Sequence, residues 1–160
     1  AIQLEQFGAA IYVANLVGIA MIREMGAIMA GVIMAGRIGA SFAAQLGTMQ
    51  VNEEVDALTT FGFSPFEYLV LPRLIAMVVV MPVLTLFADI AGILGGVAIA
   101  VGALDLPLLQ YLVQTRESLS LTSLWIGLIK GGAFGALVAI AGCYFGIRCG
   151  RSAAAVGNAV

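Results

Sequence analysis

Histidine is absent from the 160-residue chain, and cysteine occurs only twice, at Cys143 and Cys149. With no imidazole and two thiols six residues apart near the end of an apolar run, no zinc site or Cys-x-x-Cys redox motif can be assembled. No metal is expected, and both cysteines read as small packing residues. Charge is nearly as scarce, at 10% of residues and a net charge of −2. No lysine- or arginine-rich run exists to neutralise a phosphate backbone, which sets nucleic acid aside as a partner. Also missing are a G-x-x-x-x-G-K-[ST] phosphate loop and paired carboxylates in a polar setting, so the chain has no visible means of catalysis. The chain does not start with methionine, and no charged region with a cleavage site precedes its first apolar stretch. No signal peptide is visible, and both ends are expected to be cut.

What the chain has in excess is apolar surface. Hydrophobic residues make up 62% of it, and the mean hydropathy is +1.09, far outside soluble usage. The composition predicts an all-α, polytopic transmembrane helical bundle, with residues 1–160 forming one membrane domain. Residues 7–22, "FGAAIYVANLVGIAMI", are short for a crossing and include Asn15; a short span, a re-entrant piece and an interfacial helix all fit them. Residues 25–49 are long enough to cross once. Residues 74–104 would be about 46 Å long as one helix, enough to span with tilt and a kink at Pro82; two shorter helices are the rival reading. Residues 105–120 read as an outer-side loop with some amphipathic character, and 121–147 as the last span.

Arginines near span ends mark the cytoplasmic side. If 74–104 crosses once, Arg73, Arg148 and Arg151 share one face, and Asp105, Arg116 and Glu117 lie opposite. The polar elbow at 51–66 and the C-terminal end are therefore expected in the cytoplasm. Small residues recur every four positions: Ala27, Gly31, Ala35, Gly39, Ala43 and Gly47; then Ala88, Gly92, Gly96 and Ala100; then Gly127, Gly131, Gly135 and Ala139. Helices inside lipid are held by close packing rather than by water, so these ladders predict a tight bundle or a dimer seam.

Two polar features interrupt the apolar runs. Counting along the spans puts Arg37, Asp89 and Lys130 near the bilayer middle, where an unpaired charge costs at least ~2.5 kcal/mol. A buried polar cluster is predicted, with Asp89 pairing with Lys130 or Arg37 as structural glue or as a polar cavity wall. The second feature is the elbow. Its "EEVDALTTFG" can form a short amphipathic helix with Val55, Leu58 and Phe61 on one side and Glu53, Asp56 and Thr60 on another. Gly62 suits the residue just past a helix end, and Pro65 turns the chain towards the next span. A solvated loop is the plain alternative.

"DALTTFG" followed by "LVLP" is similar to the cytoplasmic loop of bacterial ABC importers, whose short helix docks in a cleft of the ATPase subunit. A longer likeness covers most of the chain. "REMGA", "AGRIGAS", "QLGTM", "EEVDAL" and "PR" occur in that order, and the sequence resembles the MlaE (YrbE) family of ABC transporter permeases, whose pattern is R-E-[LM]-G-P, A-G-R-x-G-[SA], E-[LI]-G-x-M, E-x-[IVL]-D-A-[LM] and P-R. It departs from that pattern at Ala27, where proline is usual, and at Gln45, where glutamate is usual.

The resemblance implies a homodimer of permease subunits with two ATPase subunits, in the inner membrane of a double-membraned bacterium or in a plastid. ATP and magnesium would be bound by the ATPase partner, with no cofactor on this chain. Glu53, Glu54 and Asp56 would then be docking residues, Leu58 and Phe61 the apolar plug, and Gly62 the end of the coupling helix. The implied cargo is phospholipid, passed between membranes with an MCE-domain lipid-binding protein on the periplasmic side and a small STAS-type cytoplasmic subunit. A lipid path needs apolar walls and a few head-group partners. Arg23 and Glu24, at the outer end of the first full span, are placed there, with Met21, Met25, Ile28 and Met29 as adaptable lining; an interfacial anchor pair is the alternative. The competing functions are an ABC permease for another small or hydrophobic solute, and an ion-coupled secondary transporter using Asp89.

Overall fold

A computed structural model of the chain describes residues 12–103 and 107–159. Residues 7–11 of the first apolar segment, and Asp105, lie outside the described residues. The described residues are mostly helical and contain no strand. In a hydrocarbon solvent this follows from the backbone, because a helix satisfies its own N–H and C=O groups where no water can.

The first long helix runs as α1 (Tyr12–Ala20), a π-helical turn (Met21–Met25), α2 (Gly26–Met34), a second π turn (Ala35–Gly39) and α3 (Ala40–Val51). The short α4 (Glu54–Thr60) follows, then a π turn (Phe66–Val70) leading into α5 (Leu71–Ala103), which continues through Pro82. Next come α6 (Leu108–Ser118), α7 (Leu121–Ile147) and α8 (Ala153–Ala159). Among the described residues, three helices are long and apolar enough to cross a membrane: Asn15–Val51, Phe66–Gly102 and Leu121–Ile147.

Residues 105–120, expected as a loop, contain α6, and this corrects the sequence reading. Pro107 precedes the helix in an extended conformation (φ −61°, ψ 128°), and its carbonyl accepts from the Tyr111 N–H at 3.1 Å in the first turn. Tyr111 and Thr115, one turn apart, are both buried. Tyr111 packs against Ala100 and Val97, and its hydroxyl lies where a side chain at Gly96 would stand.

The chain forms two compact units, Ala1–Ala30 with Pro82–Lys130, and Gly31–Met81 with Gly131–Val160. In the first, Gly127 allows the Ile22 carbonyl to approach the α7 backbone, and Gly92 receives the Met21 side chain. In the second, Leu46, Val70 and Cys143 form a buried cluster with Phe42, Met49, Leu69 and Ile147 against it. There α8 packs on α3, with Val156 and Cys149 against Gly47.

The small-residue ladders face inward over most of their length. Gly127, Gly131, Gly135 and Ala139 are all buried, as are Ala27, Gly31, Gly39, Ala43 and Gly47. Ala35 is the exception. It is exposed, and it is the first residue of the second π turn. At Gly142 an added methyl would stand 2.6 Å from the Gly39 carbonyl oxygen and 3.1 Å from its Cα. Gly142→Ala is therefore expected to cost about 1–3 kcal/mol by overpacking. Gly95→Ala, which meets nothing within 4 Å, should leave stability unchanged or raise it by up to ~1 kcal/mol. Thermal unfolding of the two variants in the same detergent checks the contrast.

Candidate functional site

Arg23 and Glu24 sit in the first π turn, Met21–Met25. A π turn adds a residue to the helical repeat and is often found where a helix carries a functional group. Lys130 of α7 reaches this turn, its Nζ donating to Glu24 Oε1 at 2.5 Å and to the Arg23 carbonyl at 3.4 Å. Arg23 Nε stands 3.9 Å from the same carboxylate oxygen. Two cations thus share one carboxylate, and the group carries a net positive charge.

Of the apolar residues expected beside this pair, Met25, Ile28 and Met29 are exposed, at 44%, 41% and 53%. Met21 instead turns into the unit against Gly92. Met21 and Met25 would share a face of a regular α-helix, but they bracket the π turn, which rotates one relative to the other.

The expected pairing of Asp89 with Lys130 is corrected by this geometry, since the ammonium goes to Glu24. Asp89 is 4% exposed and lies against Gly26, where any side chain would collide with its Oδ1. That oxygen has no hydrogen-bond partner among the described residues. Arg37 belongs to the second unit, is exposed, and forms no ion pair among the described residues.

The elbow is built in the second unit. Glu53 takes a left-handed backbone (φ 60°) just before α4. The helix ends in a Schellman motif: Gly62 at φ 83° donates its N–H to the Thr59 carbonyl at 3.0 Å, and Phe63 donates to the Leu58 carbonyl at 3.1 Å. The Thr59 and Thr60 hydroxyls bond the Asp56 carbonyl at 2.7 and 2.9 Å. Glu54 accepts from Asn52 Nδ2 at 3.2 Å. The side grouped as Val55, Leu58 and Phe61 divides: Val55 is buried at 7%, Leu58 is half-buried, and Phe61 is 77% exposed with Phe63 at 54% beside it. Phe61 stands at the helix end, on a turn set by Gly62 rather than on the face that Val55 buries.

Two contacts were not anticipated. Arg151 Nη2 donates to Asp56 Oδ2 at 2.7 Å, tying the chain after the last span to the elbow. Arg73 Nη2 donates to Gln45 Oε1 at 3.3 Å, and its guanidinium lies 5.3 Å from the Phe42 ring centroid. The signal for the second was present, since Gln45 and Arg73 stand in two of the motifs quoted above. Among the described residues no group of three or more Cys, Asp or Glu side chains is placed to hold a metal.

Long apolar helices, a charged group in a π turn and a capped polar elbow define a helical membrane protein. More specifically, the chain belongs to the MlaE permease family, whose model, Permease MlaE, matches residues 1–160. It is 42% identical over 154 residues to a Rickettsia felis protein named "Probable ABC transporter permease protein", covering 96% of this chain and 60% of that one. A Synechocystis protein of similar name is 32% identical over 152 residues, 95% of this chain and 58% of the relative. The Arabidopsis thaliana protein Trigalactosyldiacylglycerol 1, chloroplastic, is 30% identical over 146 residues, 91% of this chain and 42% of its own length. The chain thus spans about three fifths of the length of the first two relatives.

Proposed function

We propose that this chain is the membrane-spanning core of a permease subunit in an ATP-driven transporter that moves phospholipid between an inner and an outer membrane. It acts as a homodimer with two ATPase subunits, which bind ATP and magnesium and hydrolyse the nucleotide. An MCE-domain protein on the periplasmic side and a small STAS-type cytoplasmic subunit complete the assembly. The names of the bacterial relatives support the ABC class, and the Arabidopsis relative bears the name of a glycolipid.

One observation carries the lipid reading: Arg23, Glu24 and Lys130 form a group of net charge +1 followed by the exposed apolar residues Met25, Ile28 and Met29. A phosphodiester head group complements the spare positive charge, and acyl chains match the apolar lining. Coupling to the ATPase runs through the elbow, where Glu53 and Glu54 are exposed at the start of α4 and Phe61 and Phe63 at its end. A buried aromatic anchor ringed by polar contacts is the usual energetic core of an interface.

The test is photocrosslinking in the assembled complex. A photoreactive side chain at Met25 should yield a lipid adduct whose amount changes with ATP, whereas one at Leu94, also exposed, should label with bulk lipid whatever the nucleotide. Equal, ATP-independent labelling at both positions would remove the basis for a lipid path here.

A further inference from the structure

Arg148 follows Ile147, the last residue of α7. Its Nη1 donates to the Tyr144 hydroxyl at 2.7 Å, and its guanidinium stands 4.8 Å from the centroid of the same ring. No carboxylate is bonded to it among the described residues. A guanidinium has five N–H donors, so most of its capacity, and all of its charge, is left unused among the described residues.

Beside it lies a groove of about 610 Å³, within the ~300–1,000 Å³ of ligand sites. Its floor is Val70 and Cys143, at 5% and 1% exposed, and Leu74 and Ile140 line its far part. Phe66 and Arg148 share its other end, the end at which Arg151 reaches the elbow. Arg148 supplies the only charge in the lining.

Length argues for the occupant. From residue 140 to 148 the groove follows α7 for about 12 Å at ~1.5 Å per residue. One leaflet of a ~30 Å hydrocarbon core is about 15 Å deep. An apolar trough of nearly leaflet depth, beginning at a cation on the end of a span, has the form of one lipid leg with its head. Tyr144 and Arg148 sit where aromatic and arginine side chains anchor spans at the membrane boundary.

We propose that this groove holds one acyl chain of an anionic phospholipid from the leaflet on the elbow's side, with the lipid phosphate on Arg148. A net-negative head group is preferred over a zwitterionic one because, among the described residues, no carboxylate stands within ion-pair distance of the arginine. Free phosphate is a poor ligand, since the rest of the lining is apolar. This site is separate from the Arg23, Glu24 and Lys130 group and does not depend on the transport reading.

The intact permease, delipidated in a neutral detergent, is titrated with phosphatidylglycerol, with phosphatidylethanolamine of the same chains, and with inorganic phosphate, and bound lipid is counted by native mass spectrometry. Phosphatidylglycerol is expected to bind at least about fivefold better than phosphatidylethanolamine. Arg148→Gln should abolish that preference, Arg148→Lys should retain most of it, and Leu74→Trp, which fills the trough, should reduce binding of both lipids. An unchanged melting temperature in the Arg148 variants separates these effects from misfolding. Equal binding of the two lipids, an undiminished preference in Arg148→Gln, or displacement of the lipid by inorganic phosphate overturns the proposal. So does a photocrosslinker at Ile140 that joins the chain to protein, whether a second copy or another part of a longer chain, instead of to lipid. A Lys130→Met protein that no longer transports but keeps the preference tells the two sites apart.

Discussion

Lys130→Met is expected to lower lipid transport at least tenfold and to destabilise the protein, because it leaves Glu24 without its ammonium partner. The side chains of Lys130 and Glu24 are 38% and 47% exposed, and the size of the effect depends on what they are exposed to. Against water such a pair is worth about 0–1 kcal/mol. Against hydrocarbon an unpaired charge costs about 2.5–3.5 kcal/mol on insertion scales. The larger figure is expected here, since α7 is a candidate span and Lys130 lies in its interior. Adding Glu24→Gln to Lys130→Met removes the carboxylate that would be left with only Arg23 Nε, 3.9 Å away, so stability should return in part while transport does not. Thermal unfolding together with lipid transfer between vesicles separates the two quantities. Undiminished transport by the single variant would mean that the pair only holds helices together.

Phe61→Ala is expected to weaken capture of the ATPase subunit about thirtyfold, the scale of an interface hot spot. The stability of the permease should stay within ~0.5 kcal/mol, because the ring is 77% exposed in the isolated chain. Asp56→Lys tests the same surface through charge. It also breaks the Arg151 ion pair, but both partners are about half exposed, and such a pair contributes only about 0–1 kcal/mol. A loss of capture would therefore report on the partner rather than on unfolding. Pull-down yield and ATPase rate of the assembled complex are the readouts, and recovery of the ATPase at wild-type yield from both variants would sink the coupling role of the elbow.

The elbow was legible in the sequence because its signals are local. Gly62 is the one residue type that takes a positive φ without strain, so a glycine after "DALTTF" marks a helix end wherever the segment sits. The three long helices were legible for a similar reason, since hydropathy sums along the chain without reference to neighbours. α6 was not. Its sequence, "LLQYLVQTRES", mixes polar and apolar residues, and what holds it is Tyr111 seated on Ala100 and Gly96 of the preceding helix, a packing contact that composition does not show. The partner of Lys130 was misread for a more specific reason. Counting residues at a fixed rise estimates depth in a membrane but not direction around the helix axis, and the π turn at Met21–Met25 changes that direction within the helix carrying Glu24.

By itself, then, the sequence determined the solvent of this protein, its helical class, the position of its polar helix and the family to which it belongs. All of these rest on composition, on short-range backbone preference or on motifs read in order. Only the tertiary structure decided that Lys130 meets Glu24, that Asp89 is buried against Gly26, that Arg151 holds the elbow and that Arg148 ends an apolar groove. Those outcomes depend on rotation about helix axes and on how closely glycines let two backbones approach, and neither quantity is additive along a chain.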